Sequence, residues 1–308
     1  MSDELRISFA QRDTPEWRLA LLIARLAGEA GVPLVPIRMA GGEARAIAGV
    51  HEGMAEVGVN LAQSVRWAYR AEAALDGWRH TSLRALGSIW QPQWLAIAVR
   101  WELRISELHE IGQRRLPLRV LAHLPDGPAT TWSFLTGRLL RAHGLTFSEL
   151  TDWGGRLDDC ATAPAIAAAR QGDFDVLVAP LGALAGPAAQ LWHAASQAVD
   201  LRFLGLDDAV AGSLARELGI ASRALPEGIV RGVGPGVRTV CLSRLLLYAS
   251  ERMEGATARA LFEAVAGGRE LLADEHAQFD AAHALDDPPI PPHPGVRELA
   301  AAKAEASS

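Results

Sequence analysis

Two cysteines in 308 residues set the first limit on this chain. Cys160 and Cys241 stand far apart, share no CxxC spacing and have no histidine cluster beside them. The sequence therefore offers neither a zinc motif nor a redox dithiol, and buried free thiols are the expectation. No metal and no cofactor is predicted. No apolar run approaches the roughly 18–20 residues that cross a bilayer, so no direct membrane span is expected. No block of like charge accompanies the net charge of −6, which leaves no basic face for nucleic acid. The opening Met-Ser-Asp-Glu-Leu-Arg-Ile is acidic where a secretory leader is basic and then apolar. A cytoplasmic protein is expected as written, or a periplasmic one if a leader has been removed. GxSxG, HExxH, Walker and GxGxxG motifs are missing too, and small molecules remain the predicted partners.

What the chain does have is short apolar runs alternating with helical periodicity. Residues 6–10 read as a strand, Thr14-Pro15-Glu16 as a cap and first turn, and Leu21, Leu22, Leu26 and Ala30 as a helix stripe ended by Gly31. Strands follow at 32–37 and 56–60, with helices at 44–52 and 64–74, then strands at 83–89 and 95–99. The alternation restarts at 118–122 with helices at 131–143 and 163–171 and strands at 174–179, 201–206 and 237–248. A last helix is expected at 257–276. Such alternation predicts an α/β chain with parallel-type sheets flanked by helices. Lobe 1 would hold residues 1–99 and 239–298 and lobe 2 residues 100–238, with two crossings making a hinge and the ligand lying in the inter-lobe cleft. Residues 286–308 would form a Pro-rich extended strap and a frayed tail.

Several stretches resemble the solute receptors of TRAP transporters of the TAXI family. Gly41-Gly42, a short helix, then Glu56-Val57-Gly58-Val59-Asn60 is similar to that family's GGS-helix-GxxDxG segment. Leu83-Arg84-Ala85, Ser106-Glu107-Leu108, residues 139–145, 168–175 and 291–295 follow in the family's order. Glu43 stands where the family has Ser. The resemblance implies a two-lobed, twice-crossed type II periplasmic binding protein fold without a cofactor. It also implies a carboxylate or amino-acid-like ligand and, for an exported copy, TRAP membrane subunits as partners. A leaderless copy would act as an intracellular sensor derived from such a receptor. A second class stays open, because cytoplasmic enzymes similar to dihydroxyphthalate decarboxylase share the fold. In that reading the substrate is an aromatic or dicarboxylic acid and His123 is the catalytic candidate.

Candidate ligand residues follow from position. Thr14 and Trp17 stand at a helix N-terminus, where free N–H groups and the helix dipole favour an anion; a plain cap and a packed Trp is the rival reading. Gly41 and Gly42 form a turn, and Asn60 ends an apolar strand where α/β sheets bind ligands. Gln91 and Trp94 flank Pro92 at the first crossing as an amide and an aromatic face, or as hinge packing. Gly127, Thr130 and Thr131 precede a lobe-two helix and offer N–H and hydroxyl groups. Arg156, after an exposed-looking Trp153-Gly154-Gly155 loop, could pair with a carboxylate or stand solvated. His51, His80, His109, His123 and His143 are scattered, and His283 and His293 are too isolated from carboxylates in sequence to suggest a metal set.

Overall fold

In the computed structural model, which describes residues 4–72, 79–124, 130–182 and 187–307, the chain divides into two units. Described residues within Met1–Gln91, Pro128–Thr130 and Ser243–Ser308 form unit 1, and those within Pro92–Gly127 and Thr131–Leu242 form unit 2.

Unit 1 opens with β1 (Leu5–Phe9), α1 (Pro15–Glu29), β2 (Leu34–Arg38), α2 (Gly42–His51), β3 (Val57–Leu61) and α3 (Ala62–Arg70). It also holds the first half of β4 (Leu83–Arg100). β1 lies between β2 and β3, parallel to both, with Ile7 opposite Val57. The helices start where caps and Pro direct them: Thr14 Oγ1 accepts from Trp17 N at 3.2 Å, and Pro15 needs no donor in the first turn.

Unit 2 continues with α4 (His109–Arg114), β5 (Arg119–Ala122), α5 (Thr131–Ala142), α6 (Phe147–Asp152), β6 (Arg156–Asp159) and α7 (Ala163–Gln171). Then come β7 (Val176–Gly182), α8 (Pro187–Ala198), β8 (Leu201–Phe203), α9 (Asp208–Leu218), β9 (Ala221–Ala224) and the start of β10 (Arg238–Ser250). β5 lies between β6 and β7, parallel to both, with Val120 opposite Val176. Unit 1 closes with the end of β10, α10 (Gly255–Gly267), α11 (Arg269–Asp274) and α12 (Pro294–Ser307).

Each unit has its own apolar core. In unit 1 Ile47, Val65, Leu83, Leu246, Tyr248 and Ile290 pack together; in unit 2 Leu121, Phe174, Leu177, Trp192, Phe203 and Cys241 do so. The bulky Trp192 satisfies its indole N–H on the Pro180 carbonyl at 2.9 Å, as a buried Trp requires. Among the described residues no helix is long and apolar enough to cross a membrane.

The structure corrects several expectations. The sheets are mixed: β10 runs antiparallel to β3 and β4 antiparallel to β7. Residues 83–89 and 95–99 belong to one strand, because the β7 ladder on β4 begins at Gln93 and asks Pro92 for no donor. The helix expected at 257–276 is broken at Gly268, where a Cβ would stand 2.4 Å from Leu26 Cδ1. The tail is α12 rather than frayed: Pro294 opens it, and Val296 and Ala300 bury one side at helical spacing. Residue 156 begins β6 rather than ending a loop. The expected helix end at 73–74 lies outside the described residues.

Candidate functional site

At the carboxyl ends of the parallel strands in unit 1, three segments bring polar groups together. The turn after β1 delivers the first turn of α1, where Arg18 follows Trp17. β4 contributes Gln91, 2% exposed, whose Nε2 donates to the Glu275 carbonyl at 2.8 Å. Glu275, just after α11, faces Arg18 with 3.9 Å between Oε2 and Nη1, too long for a hydrogen bond. Three buried atoms here have no hydrogen-bond partner among the described residues: Arg18 Nε, Gln91 Oε1 and Glu275 Oε2. Leaving such groups unmet costs about 1–3 kcal/mol each, so a cation, an amide acceptor and an acid held together ask for a polar occupant. Sequence reasoning found Gln91 but missed Arg18 and Glu275. Arg18 was findable as the cation in the first turn after a strand; no local signal marks Glu275.

Other predicted residues of unit 1 are engaged in the fold. Thr14 Oγ1 donates to the Gln11 carbonyl at 3.0 Å besides capping Trp17 N, and Trp17 is half-buried. Gly41 and Gly42 have φ of 104° and 84° and lead into α2, whose first turn buries Glu43. Asn60, 1% exposed, accepts the Tyr248 hydroxyl at 2.8 Å through Oδ1. Burial pushes the Tyr248 phenol up despite the Ser8 contact, so the hydroxyl stays a donor.

Unit 2 collects a different set at the carboxyl ends of β5 and β6. His123 follows β5 directly; Asp159 ends β6 and Cys160 follows it. In the ladder Ala122 faces Asp159, and Cys160 N donates to the Ala122 carbonyl at 3.0 Å, which puts His123 beside Cys160. His123 Nδ1 lies 3.9 Å from Asp159 Oδ1, and the ligating atoms of all three residues fall within 4.8 Å of one another. Burial holds the His123 imidazole below its ordinary value, with the Asp159 charge pulling partly back. Burial, with the same charge, pushes the Cys160 thiol up. The sequence missed this cluster because spacing along the chain says nothing of ladder register.

Thr131, fully buried, opens α5, and Thr130 precedes it half-buried. Gly127 lies outside the described residues. Trp94 is buried with its indole N–H unpartnered among the described residues, as is Gln93 Nε2. Arg156 stands at the amino end of β6, the end away from His123, and pairs with Asp158 at 2.7 Å and Asp173 at 2.8 Å. A surface hollow of about 320 Å³ lies against Arg170, Gln190 and His193 of α7 and α8, whose side chains are exposed. It gathers none of these polar clusters.

No protein-family model matches the chain, and no curated protein matches it. Solved structures do. A TctC solute-binding protein from Polaromonas is 13% identical over 90% of this chain and 89% of its own, with a TM-score of 0.53. MatC from Rhodopseudomonas palustris with bound malate is 14% identical over 99% of both chains, at 0.54. A periplasmic transporter is 14% identical over 99% of this chain and 93% of its own, at 0.55. The chain thus shares with these structures an α/β fold, a mixed sheet flanked by helices.

Proposed function

We propose that this protein binds a small organic solute carrying a carboxylate, amino-acid-like or dicarboxylic, as a solute receptor of the TAXI type or a sensor derived from one. The observation that carries this reading is the trio Arg18, Gln91 and Glu275, which holds three buried polar atoms without hydrogen-bond partners among the described residues. A guanidinium takes a carboxylate, an amide oxygen takes a donor, and Glu275 suits an ammonium or hydroxyl group. The first turn of α1, with Thr14 and Trp17, adds a dipole that favours the acidic end. Support also comes from the fold shared with TctC and with MatC, which was solved with malate.

The test is calorimetric titration of the full chain with amino acids, 2-oxo acids, dicarboxylates and aromatic acids, with mass spectrometry of each mixture afterwards. One-to-one binding is expected with the solute recovered unchanged. Gln91→Leu and Arg18→Gln should each weaken binding by about 10- to 100-fold, the worth of a lost hydrogen bond to a charged or buried group. Silence across the panel, or variants that bind as well as the parent, would overturn the reading. Conversion of a solute would instead favour an enzyme and direct mutation to His123.

A further inference from the structure

The carboxyl end of β5 and β6 holds an imidazole, a carboxylate and a thiol on two adjacent strand ends. We propose that His123, Asp159 and Cys160 bind a divalent cation of the zinc class, with the fourth position open to water or another ligand. Zinc takes nitrogen, sulfur and oxygen donors at about 2.0–2.3 Å, so tetrahedral donors stand roughly 3.3–3.8 Å apart. The three ligating atoms within 4.8 Å of one another need to close by only about 1 Å, a small side-chain rotation on that scale.

Competing partners of these atoms are modest. Cys160 Sγ faces the Val178 carbonyl at 3.9 Å, and Asp159 Oδ1 accepts Ala161 N at 2.9 Å, which leaves lone pairs on the carboxylate. Charge favours the ion as well. A thiolate and a carboxylate cancel a dication, so the loaded site is neutral, which matters most at the buried Cys160 sulfur. As the sulfur–metal bond forms, the thiol proton leaves to water; nothing is oxidised. Imidazole and thiolate together select zinc over magnesium or calcium, which prefer oxygen alone.

A comparison inside the molecule shows that the fold alone does not dictate this set. β1 and β2 pair as β5 and β6 do: Met39 N donates to the Phe9 carbonyl at 2.9 Å where Cys160 N donates to the Ala122 carbonyl at 3.0 Å. The unit 1 counterparts of His123, Asp159 and Cys160 are Ala10, Arg38 and Met39. The same backbone thus carries a donor set in one unit and none in the other. This site shares no residue with the Arg18 cluster, so either reading can fail alone.

The experiment uses the full chain stripped with a chelator and titrated with cobalt(II), a coloured stand-in for zinc. One cobalt per chain is expected, with a near-ultraviolet thiolate-to-cobalt charge-transfer band that zinc abolishes and magnesium does not. Cys160→Ser should remove the band, His123→Gln and Asp159→Asn should weaken cobalt binding by about tenfold or more, and Cys241→Ser should leave both intact. Absence of the band, its survival in Cys160→Ser, or its equal loss in Cys241→Ser would overturn the proposal. If Cys160→Ser does not fold, His123→Gln and Asp159→Asn carry the test, and unchanged affinity in both overturns it.

Discussion

The two units fasten the amino ends of their strands by one device and differ at the other end. In unit 1 Glu56, just before β3, takes Arg6 N at 2.7 Å and Arg6 Nη2 at 2.8 Å, while Glu56 N donates to the Arg6 carbonyl. In unit 2 Asp175, just before β7, takes Arg119 N at 2.8 Å and Nη2 at 2.7 Å, while Asp175 N donates to the Arg119 carbonyl. Each pins a parallel pair in register. Unit 2 goes further: Asp173 adds a contact to Arg119 at 2.6 Å and joins Arg156 to the network. The carboxyl ends diverge. Unit 1 fills its β3 end with a Tyr248 hydroxyl on Asn60, where unit 2 has Ala179, and Gly58 stands where unit 2 has Leu177. Shared ends hold the fold, and unlike ends are where the units can do different work.

The largest effect should come from exchanging the unlike positions. A Cβ on Gly58 would stand 2.3 Å from Tyr248 Cζ, and a ring packed in a fully buried core cannot step aside. Gly58→Leu is expected to cost about 3 kcal/mol or to prevent folding, read by urea unfolding; a near-neutral result would mean that the two β-strand surfaces are interchangeable.

Breaking the shared device should come next, and unequally. Arg119→Met leaves Asp175, whose side chain is 14% exposed, without its charged partner, and about 2–3 kcal/mol should be lost. Arg6→Met breaks a pair exposed at 43% and 30%, worth about 1 kcal/mol or less. Equal losses would show that the extra acid of unit 2 adds nothing. The acid limb sharpens this. Burial alone would raise Asp175, but the Arg119 hydrogen bonds and charge hold it below the ordinary carboxylate value, and Glu56 stands likewise beside Arg6. A carboxylate depressed in the folded state stabilises above its unfolded value near about 4 and loses that contribution as pH falls through the folded value. Arg119→Met removes the side-chain hydrogen bonds and charge that do most of the lowering and leaves the burial, with only the backbone N–H bond and the Arg100 charge still opposing it, so its acid unfolding midpoint should move to higher pH, further than that of Arg6→Met.

Tyr248→Phe is also a small change, about 1 kcal/mol by thermal unfolding, since it deletes one hydroxyl and leaves Asn60 Oδ1 buried without it. A loss of several kcal/mol would mean that the bond organises more of unit 1 than its own two residues.

The alternation of strand and helix was legible because burial writes it locally: β1 alternates, β3, β5 and β7 are mainly apolar runs, and α1 carries its cap and stripe in sequence. What failed was non-local. Arg156-Leu157-Asp158-Asp159 has no strand pattern and becomes β6 only because β5 offers it a ladder. Pro92 reads as a break until the β7 ladder on β4 is known to start one residue later, at Gln93. The Ala-rich end of the chain lacks a strong stripe, so its docking through Val296 and Ala300 could not be seen. Gln91 was chosen for its place beside a crossing, whereas Arg18 and Glu275 meet only through folding. His123 was singled out alone, and its neighbours Asp159 and Cys160 come from a strand that the sequence did not reveal.

Anyone trimming or tagging this protein should treat its last helix as structure. Gly295 sits so near Gly255 that a Cβ would lie 2.5 Å from the Gly255 oxygen, and His293 holds the Met253 carbonyl at 3.1 Å through Nε2. A shortened chain ending near residue 290 would bare apolar α10 surface and invite aggregation, so purification handles belong after Ser308, and limited proteolysis should stop short of Pro294.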